Sequence, residues 1–196
     1  MKKNILAISV LSIALSSSTL LGASCGDKFK LDFTFYGAQD KSYIVKKNTF
    51  KTMKTNFPGG KLNGATIDID LTSVDTSADM NNGKVNWPAA MATVRDNNIK
   101  RAFFGNFATD KTKGKAKIVK VNSDSVDVEV TLNGKTQKIN MATKVEGGML
   151  KASGQIDVAK FAPSAWGKFS AICRGFHRGK SWETFDLFFE VPASCK

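Results

Sequence analysis

The chain has 196 residues, 42% of them hydrophobic, and a formal net charge of +12 at pH 7. This length predicts one domain with a core of its own and excludes a large multidomain protein. The lysines behind the basic excess are spread over most predicted strands and turns. Because dispersed charge mainly gives solubility and weak, non-specific attraction, we expect no nucleic-acid partner and at most a weak contact with a membrane surface.

The first 23 residues have the organisation of a secretory signal peptide. Lys2 and Lys3 precede an apolar run at 5–15, and small residues end the segment at Gly22 and Ala23. The run is too short to span a bilayer comfortably. We therefore expect cleavage after Ala23, one domain over residues 24–196, and a secreted protein without a transmembrane segment.

Alternating apolar and polar residues predict three strands in the first half of the chain, at 29–35, 43–54 and 65–71. The second of these is the least regular. A predicted helix then covers 89–102, and Pro88 is suited to its first turn.

The clearest pattern in the chain is the stretch 125–158, which follows a further predicted strand at 115–121. Three runs in this stretch alternate with a period of two, and Asn133-Gly134 joins the first two as a strong hairpin signal. Their apolar files are Val126, Val128, Val130 and Leu132, then Ile139, Met141 and Val145, then Leu150, Ala152, Ile156 and Val158. A helix over 165–176 and a last strand at 185–191 complete the chain. The pattern predicts an all-β fold, an eight-stranded antiparallel barrel with two helical insertions.

The three cysteines predict one disulfide and one free thiol, because secretion places them in an oxidising compartment. Cys25 precedes the first strand and Cys195 follows the last, and these ends lie side by side in a closed barrel with an even number of strands. We therefore predict a Cys25–Cys195 disulfide and a buried free thiol at Cys173. Lipidation of Cys25 is the less favoured alternative, because Gly22 stands where lipoprotein signals usually carry a bulky aliphatic residue.

Few residues here are suited to covalent chemistry. The sequence has one histidine, His177, and no Gly-x-Ser-x-Gly segment. Cys173 lies four residues before it, but two ligands are too few for a structural zinc site. We therefore expect no catalytic residue and no metal site, and a hydrolase or isomerase is the less favoured alternative.

The interior is the main functional question, because the chain has 14 phenylalanines and three tryptophans. An eight-stranded barrel can be packed by its own side chains or can hold one ligand. Small residues at Ala65, Ala116, Ala152 and Gly154 would leave room inside. The residues alone keep both alternatives open: a ligand pocket, or a packed basic barrel that acts as a protein- or surface-interaction module.

Four segments, in the same order along the chain, resemble the YceI-like family. Ile67 to Thr76 (IDIDLTSVDT) resembles a strand signature of that family, and Arg95 to Phe104 (RDNNIKRAFF) resembles its Arg-Asp-x-x-Leu helix motif that ends in Phe-Phe. Val130 to Thr136 (VTLNGKT) resembles its strand-turn pattern Leu-Thr-Ile-His-Gly-Val-Thr. Gly154 to Asp157 (GQID) resembles Gly-Thr-Ile-Asn, and Phe161 matches the phenylalanine that follows. The likeness extends over residues 28–191.

This resemblance implies a lipocalin-like antiparallel barrel that is usually periplasmic and often dimeric. It also implies a tunnel for a long apolar molecule, such as a polyisoprenoid, a quinone precursor or a fatty-acid amide. The implied function is therefore a carrier that performs no covalent chemistry and has no cofactor apart from the bound lipid. The sequence departs from the family pattern in three respects: Asn133 replaces a histidine, the insertion at 77–90 is longer, and the cysteines are not a general family feature.

The candidate ligand-binding residues combine inward strand positions with aromatic residues at the helical insertions. Strand parity selects Phe29, Leu31, Phe33, Phe35, Ile67, Ile69, Val128, Val130, Ile139, Met141, Phe185, Leu187 and Phe189. The residues assigned to the mouth are Trp87, Phe103, Phe104 and Trp166.

Overall fold

A computed structural model describes residues 25–80, 88 and 90–196 of the chain. The predicted signal peptide at 1–23 and the predicted mouth residue Trp87 lie outside the described residues.

One antiparallel sheet of ten strands forms most of the described fold. The strands are β1 (Lys30–Gly37), β2 (Tyr43–Phe50), β3 (Met53–Asn56), β4 (Thr66–Asp70), β5 (Val74–Asp75), β6 (Lys113–Val121), β7 (Ser125–Leu132), β8 (Lys135–Glu146), β9 (Met149–Asp157) and β10 (Thr184–Pro192). Their order across the sheet is β3-β4-β6-β7-β8-β9-β10-β1-β2-β5. The predicted antiparallel, barrel-like class is confirmed.

The predicted count of eight strands is wrong, because one predicted strand is bent into two and a short one is added. The segment 43–54 breaks after Phe50 into β2 and β3, and β5 follows the 3₁₀ turn Leu71–Ser73. Hydrogen bonds continue through the bend, where Lys51 N–H donates to Ser73 O at 3.0 Å and Asp70 N–H donates to Thr52 O at 3.1 Å. β2 and β3 form one arm of a bent hairpin, and β4 and β5 form the other. This hairpin joins the two edges of the strand order, β3 and β5, and the sheet therefore curls around its apolar face.

The first and last long strands lie side by side, as the sequence predicts. Leu31 pairs with Phe189 and Phe33 with Leu187 in the antiparallel β1–β10 register. This pairing brings the chain ends together, and Cys25 and Cys195 form a disulfide with a Cα–Cα distance of 6.0 Å. Cys173 is a buried free cysteine. The predicted pairing is thereby confirmed.

Two helices cover one side of the curled sheet. α1 (Ala90–Asn98) continues into a wider π-helical turn (Ile99–Phe103) and a 3₁₀ turn (Phe104–Asn106). α2 (Pro163–Cys173) begins two residues before the predicted start, because Pro163 occupies the first turn. Further 3₁₀ turns are Pro58–Gly60, Ser77–Asp79, Val158–Lys160 and Ala193–Cys195.

Strand parity predicts most inward positions correctly, but one apolar position is exposed and one expected free space is filled. Val145 belongs to the predicted apolar file of β8 but is 60% exposed, because it lies near the end of the strand. Gly154 does not leave room inside, because Met141 fills the space beside it: a Cβ on Gly154 would lie 2.8 Å from Met141 Cγ. This close approach explains the need for glycine at that position.

We predict that the Cys25→Ser/Cys195→Ser double variant keeps the fold but loses about 2–5 kcal/mol of unfolding free energy. The disulfide closes a loop with a sequence separation of 170, so its removal enlarges the entropy of the unfolded chain. Urea unfolding measures the loss. The double variant avoids mispairing of a lone cysteine with Cys173. Unchanged stability would show that the β1–β10 pairing alone holds the two ends of the chain together.

Candidate functional site

A cavity lies between the curled sheet and the two helices, and we call it the main cavity. About 1130 Å³ of the space within its wall is free of protein atoms, the opening to solvent included. Only about 120 Å³ of that space can hold the centre of a water molecule, so the cavity is narrow. A narrow space is suited to a thin, flexible chain rather than to a bulky ring system.

The wall of the main cavity consists of 25 apolar residues, ten of which are aromatic. The wall comprises Phe29, Leu31, Phe33, Phe35, Phe50, Ile67, Ile69, Leu71, Ile99, Phe103, Phe104, Ala116, Ile118, Val128, Val130, Leu132, Ile139, Met141, Ile156, Val158, Trp166, Phe169, Phe185, Leu187 and Phe189. Such a wall offers no hydrogen-bonding side chain apart from the indole N–H of Trp166. It can therefore discriminate by shape and apolar contact only.

Aromatic contacts between helices and sheet hold one side of this wall in place. The Phe103 ring contacts Trp166 edge-on at a centroid distance of 5.8 Å. Trp166 also contacts Phe185 of β10 edge-on at 6.0 Å, and Phe185 stacks on Phe33 of β1 at 5.9 Å. Edge-on and offset arrangements are the favourable ones for aromatic pairs. A continuous aromatic chain thus connects the π-helical turn to β1.

The structure brings together every predicted lining residue that it describes. All of the positions selected by parity, and Phe103, Phe104 and Trp166 from the helical insertions, lie on the wall of the main cavity. Of the four small residues expected to leave room, only Ala116 lies on the wall, whereas Ala65 and Ala152 are buried elsewhere in the core.

Sequence reasoning missed nine wall residues. Leu132, Ile156 and Val158 belong to apolar files already recognised, so strand parity was sufficient to find them. Phe169 lies three residues after Trp166 on α2, a helical spacing that places both on one face. Alternation also marks Leu71 in the predicted strand at 65–71, and Ala116 and Ile118 in the one at 115–121, where Ala116 was expected to leave room inside. Phe50, on an irregular strand, and Ile99, on the π-helical turn, lacked such a signal.

A second, partly polar pocket adjoins the main cavity, and we call it the side pocket. About 340 Å³ within its wall is free of protein atoms, the opening included. Phe35, Ile99 and Phe169 line both spaces and therefore form the partition between them. The remaining wall residues are Tyr43, Met91, Val94, Arg95, Asn98, Cys173, Phe176 and His177.

Burial shifts the pKa of two side-pocket groups, His177 and Cys173, toward their uncharged forms. Burial, and secondarily the positive charge of Arg95, lower the pKa of His177 to about 4. Burial raises the pKa of the Cys173 thiol to about 11. Arg95 is 8% exposed and lies over the Tyr43 ring at 6.0 Å. The pocket therefore combines a guanidinium with neutral partners.

The arrangement around His177 is not that of an activated nucleophile. His177 Nδ1 lies 2.6 Å from Ser181 Oγ, but Ser181 is only 5% exposed. The high pKa of Cys173 keeps it a thiol, and a thiol is a poor nucleophile. Among residues 25–80, 88 and 90–196, no three His, Cys, Asp or Glu side chains are grouped to hold a metal ion. In the same residues, no helix is both long and apolar enough to cross a membrane.

We predict that acidification destabilises the fold through His177. The pKa of His177 is lower in the folded chain than the ordinary 6.5, so the unfolded chain binds more protons between pH 6.5 and about 4. The unfolding free energy therefore decreases as the pH is lowered through that window. The unfolding free energy should be about 2 kcal/mol lower at pH 5 than at pH 7.5.

Urea unfolding of wild type and of the His177→Gln variant at both pH values tests this assignment. The variant should lose most of the difference between pH 5 and pH 7.5, since glutamine does not titrate. An equal pH dependence in both proteins would assign it to other groups.

Comparison with known proteins identifies the family. The chain matches the sequence profile described as the YceI-like domain over residues 23–189, and it therefore belongs to the YceI-like family. The resemblance found in the sequence motifs is thereby confirmed. No curated protein sequence matches the chain at a significant level.

Solved structures with a similar fold include two at low sequence identity. A polyisoprenoid binding domain from Saccharophagus degradans, implicated in plant cell wall breakdown, is 12% identical, with 85% of this chain and 95% of that chain covered and a TM-score of 0.49. BcnA of Burkholderia cenocepacia is also 12% identical, with 83% of this chain and 96% of that chain covered and a TM-score of 0.45.

Proposed function

We propose that this protein binds and carries one long apolar chain molecule in the main cavity and performs no covalent chemistry. The observation that carries this proposal is the wall itself, 25 apolar residues around a space that they do not fill. Natural cores are packed to crystal-like density with few voids larger than a water molecule, so a cavity of this size in a core needs an explanation. Storage of an apolar ligand supplies one.

The energetics favour an occupied cavity. An unfilled core void costs about 24 cal/mol per Å³, which gives about 3 kcal/mol for 120 Å³. An apolar chain gains about 0.8 kcal/mol for each buried methylene, so about 20 carbons offer about 16 kcal/mol before association and ordering costs. Tight binding therefore needs no charged anchor inside the cavity.

The ligand class that we propose is the isoprenoid or acyl chain, with a polyisoprenoid, a quinone precursor or a fatty-acid amide as specific candidates. The narrowness of the main cavity supports a linear, flexible chain. Membership of the YceI-like family supports the same class, since the family is associated with such ligands. We expect no further cofactor.

We also propose that the protein works in the periplasm. The Cys25–Cys195 disulfide supports an oxidising compartment, because disulfides seldom persist in the cytosol. Cleavage after Ala23, the homodimer implied by the family and the absence of nucleic-acid partners stay predictions.

We predict that Ala116→Phe lowers the affinity for a long-chain isoprenoid alcohol by about tenfold or more, because the added ring occupies the narrow main cavity. Lys117→Phe is the matched control, since Lys117 is the next residue of β6 and points to the opposite face. Quenching of the intrinsic tryptophan fluorescence, to which Trp166 on the cavity wall contributes, by a brominated long-chain probe measures binding. Equal affinities of the two variants would place the ligand outside this cavity.

A charge inside the wall provides a stronger perturbation. Phe185→Asp or Ile69→Asp should abolish uptake of the same probe, since an unpaired carboxylate in an apolar cavity is strongly unfavourable. Phe188→Asp is the control, because Phe188 lies on β10 but is 36% exposed. Circular dichroism establishes that each variant is folded. A folded Phe185→Asp protein with undiminished uptake would remove that residue from the binding site.

A further inference from the structure

The surface around the C-terminal end of α2 exposes two large apolar side chains. Ile172 is 55% exposed and Phe176 is 51% exposed. Helical spacing continues past the end of α2, where His177 N–H donates to Cys173 O at 2.8 Å. Residues four apart share a helix face, so Ile172 and Phe176 lie together on the outer face while Cys173 and His177 are buried.

The same segment carries positive charge without acidic residues. Residues 163–180 contain Lys168, Arg174, Arg178 and Lys180 and no aspartate or glutamate. Among the described residues, no salt bridge engages any of these four cations. Arg178 contributes to the lowered pKa of Asp40, but less than the hydrogen bonds within the turn of Asp40 do. Positive charge here is therefore concentrated around an apolar patch, unlike the dispersed lysines of the sheet.

This patch lies beside the side pocket. Phe176 lines that pocket together with Val94 of α1, which is 39% exposed. Phe35, Ile99 and Phe169 line both the side pocket and the main cavity. The exposed apolar patch therefore lies beside a pocket that shares part of its wall with the main cavity.

We propose that the surface formed by Lys168, Ile172, Arg174, Phe176 and Arg178 docks onto an anionic phospholipid bilayer, with the side pocket facing the bilayer as the route of ligand exchange. This inference rests on the proposed function. Charge complementarity selects the partner, since cations near a bilayer are attracted to anionic headgroups while apolar side chains insert at the headgroup boundary. A bilayer is also the phase from which a long apolar ligand has to be collected.

Flotation with lipid vesicles tests the docking surface. Wild type should bind vesicles that contain phosphatidylglycerol and phosphatidylcholine, bind phosphatidylcholine vesicles weakly, and lose binding at high salt. Arg174→Glu/Arg178→Glu and Ile172→Ser/Phe176→Ser should each lower the partition coefficient by about tenfold or more.

Matched controls separate this surface from general charge and hydrophobicity. Lys111→Glu/Lys113→Glu makes the same change in net charge at exposed positions of the β6 end, and Val145→Ser removes an apolar side chain that is 60% exposed on β8. Both controls should bind vesicles within about twofold of wild type. The proposal is overturned if the controls weaken binding as much as the docking variants do, or if wild type does not bind anionic vesicles. It is also overturned if the surface captures a protein while the chain shows no vesicle binding.

Ligand transfer distinguishes failure of docking from failure of the carrier function. The docking variants should take up a brominated long-chain probe from anionic vesicles about tenfold more slowly, yet bind the same probe with wild-type affinity when it is added without vesicles. Equal transfer rates in docking variants and wild type would contradict the route while leaving the main cavity as the binding site. If wild type itself does not bind the brominated probe in vesicle-free solution, the proposed function is contradicted.

Discussion

Inward-facing apolar side chains on the curled sheet converge on a space that they do not fill, and the other features of the site follow from this convergence. Ile67, Ala116 and Val130 are neighbours across β4, β6 and β7, so three adjacent strands present one apolar surface. The β1–β10 pairing and the bent hairpin β2–β5 bring the opposite part of the sheet over that surface. The sheet therefore encloses its apolar face instead of packing it against a second sheet.

The helices determine how much of the enclosed space is left open. Phe103, Phe104 and Trp166 enter from one side. Phe103 contacts both Phe104 and Trp166, and Trp166 contacts Phe185 of β10, which produces a packed aromatic end. The rest of the wall consists of aliphatic strand residues and the phenylalanines of β1 and β10. The same segments form the partition to the side pocket, where Arg95 is the charged group. An apolar cavity and a partly polar pocket that contains Arg95 are thus adjacent in this fold.

Sequence patterns predicted the parts of this architecture that follow from periodicity. Alternation located β7, β8 and β9 and most of the wall, and strand parity distinguished Phe185 from Phe188. The bend after Phe50 was not predictable, because it depends on hydrogen bonds to residues 70–73 that are formed only in the folded sheet. The space beside Gly154 was also misjudged, since its occupant, Met141, comes from another strand. The side pocket joins residues from β1, α1 and α2, and a one-dimensional pattern carries no signal for such a meeting.

The proposed function depends on occupancy of the main cavity by a long apolar molecule. Native mass spectrometry of the purified protein, followed by solvent extraction, tests it most directly, with the Ala116→Phe variant purified in parallel. Wild type should carry a stoichiometric apolar ligand that is lost on denaturation, and this ligand should be depleted in the variant. A ligand-free mass for wild type, unchanged after incubation with long-chain isoprenoids and fatty acids, would contradict it.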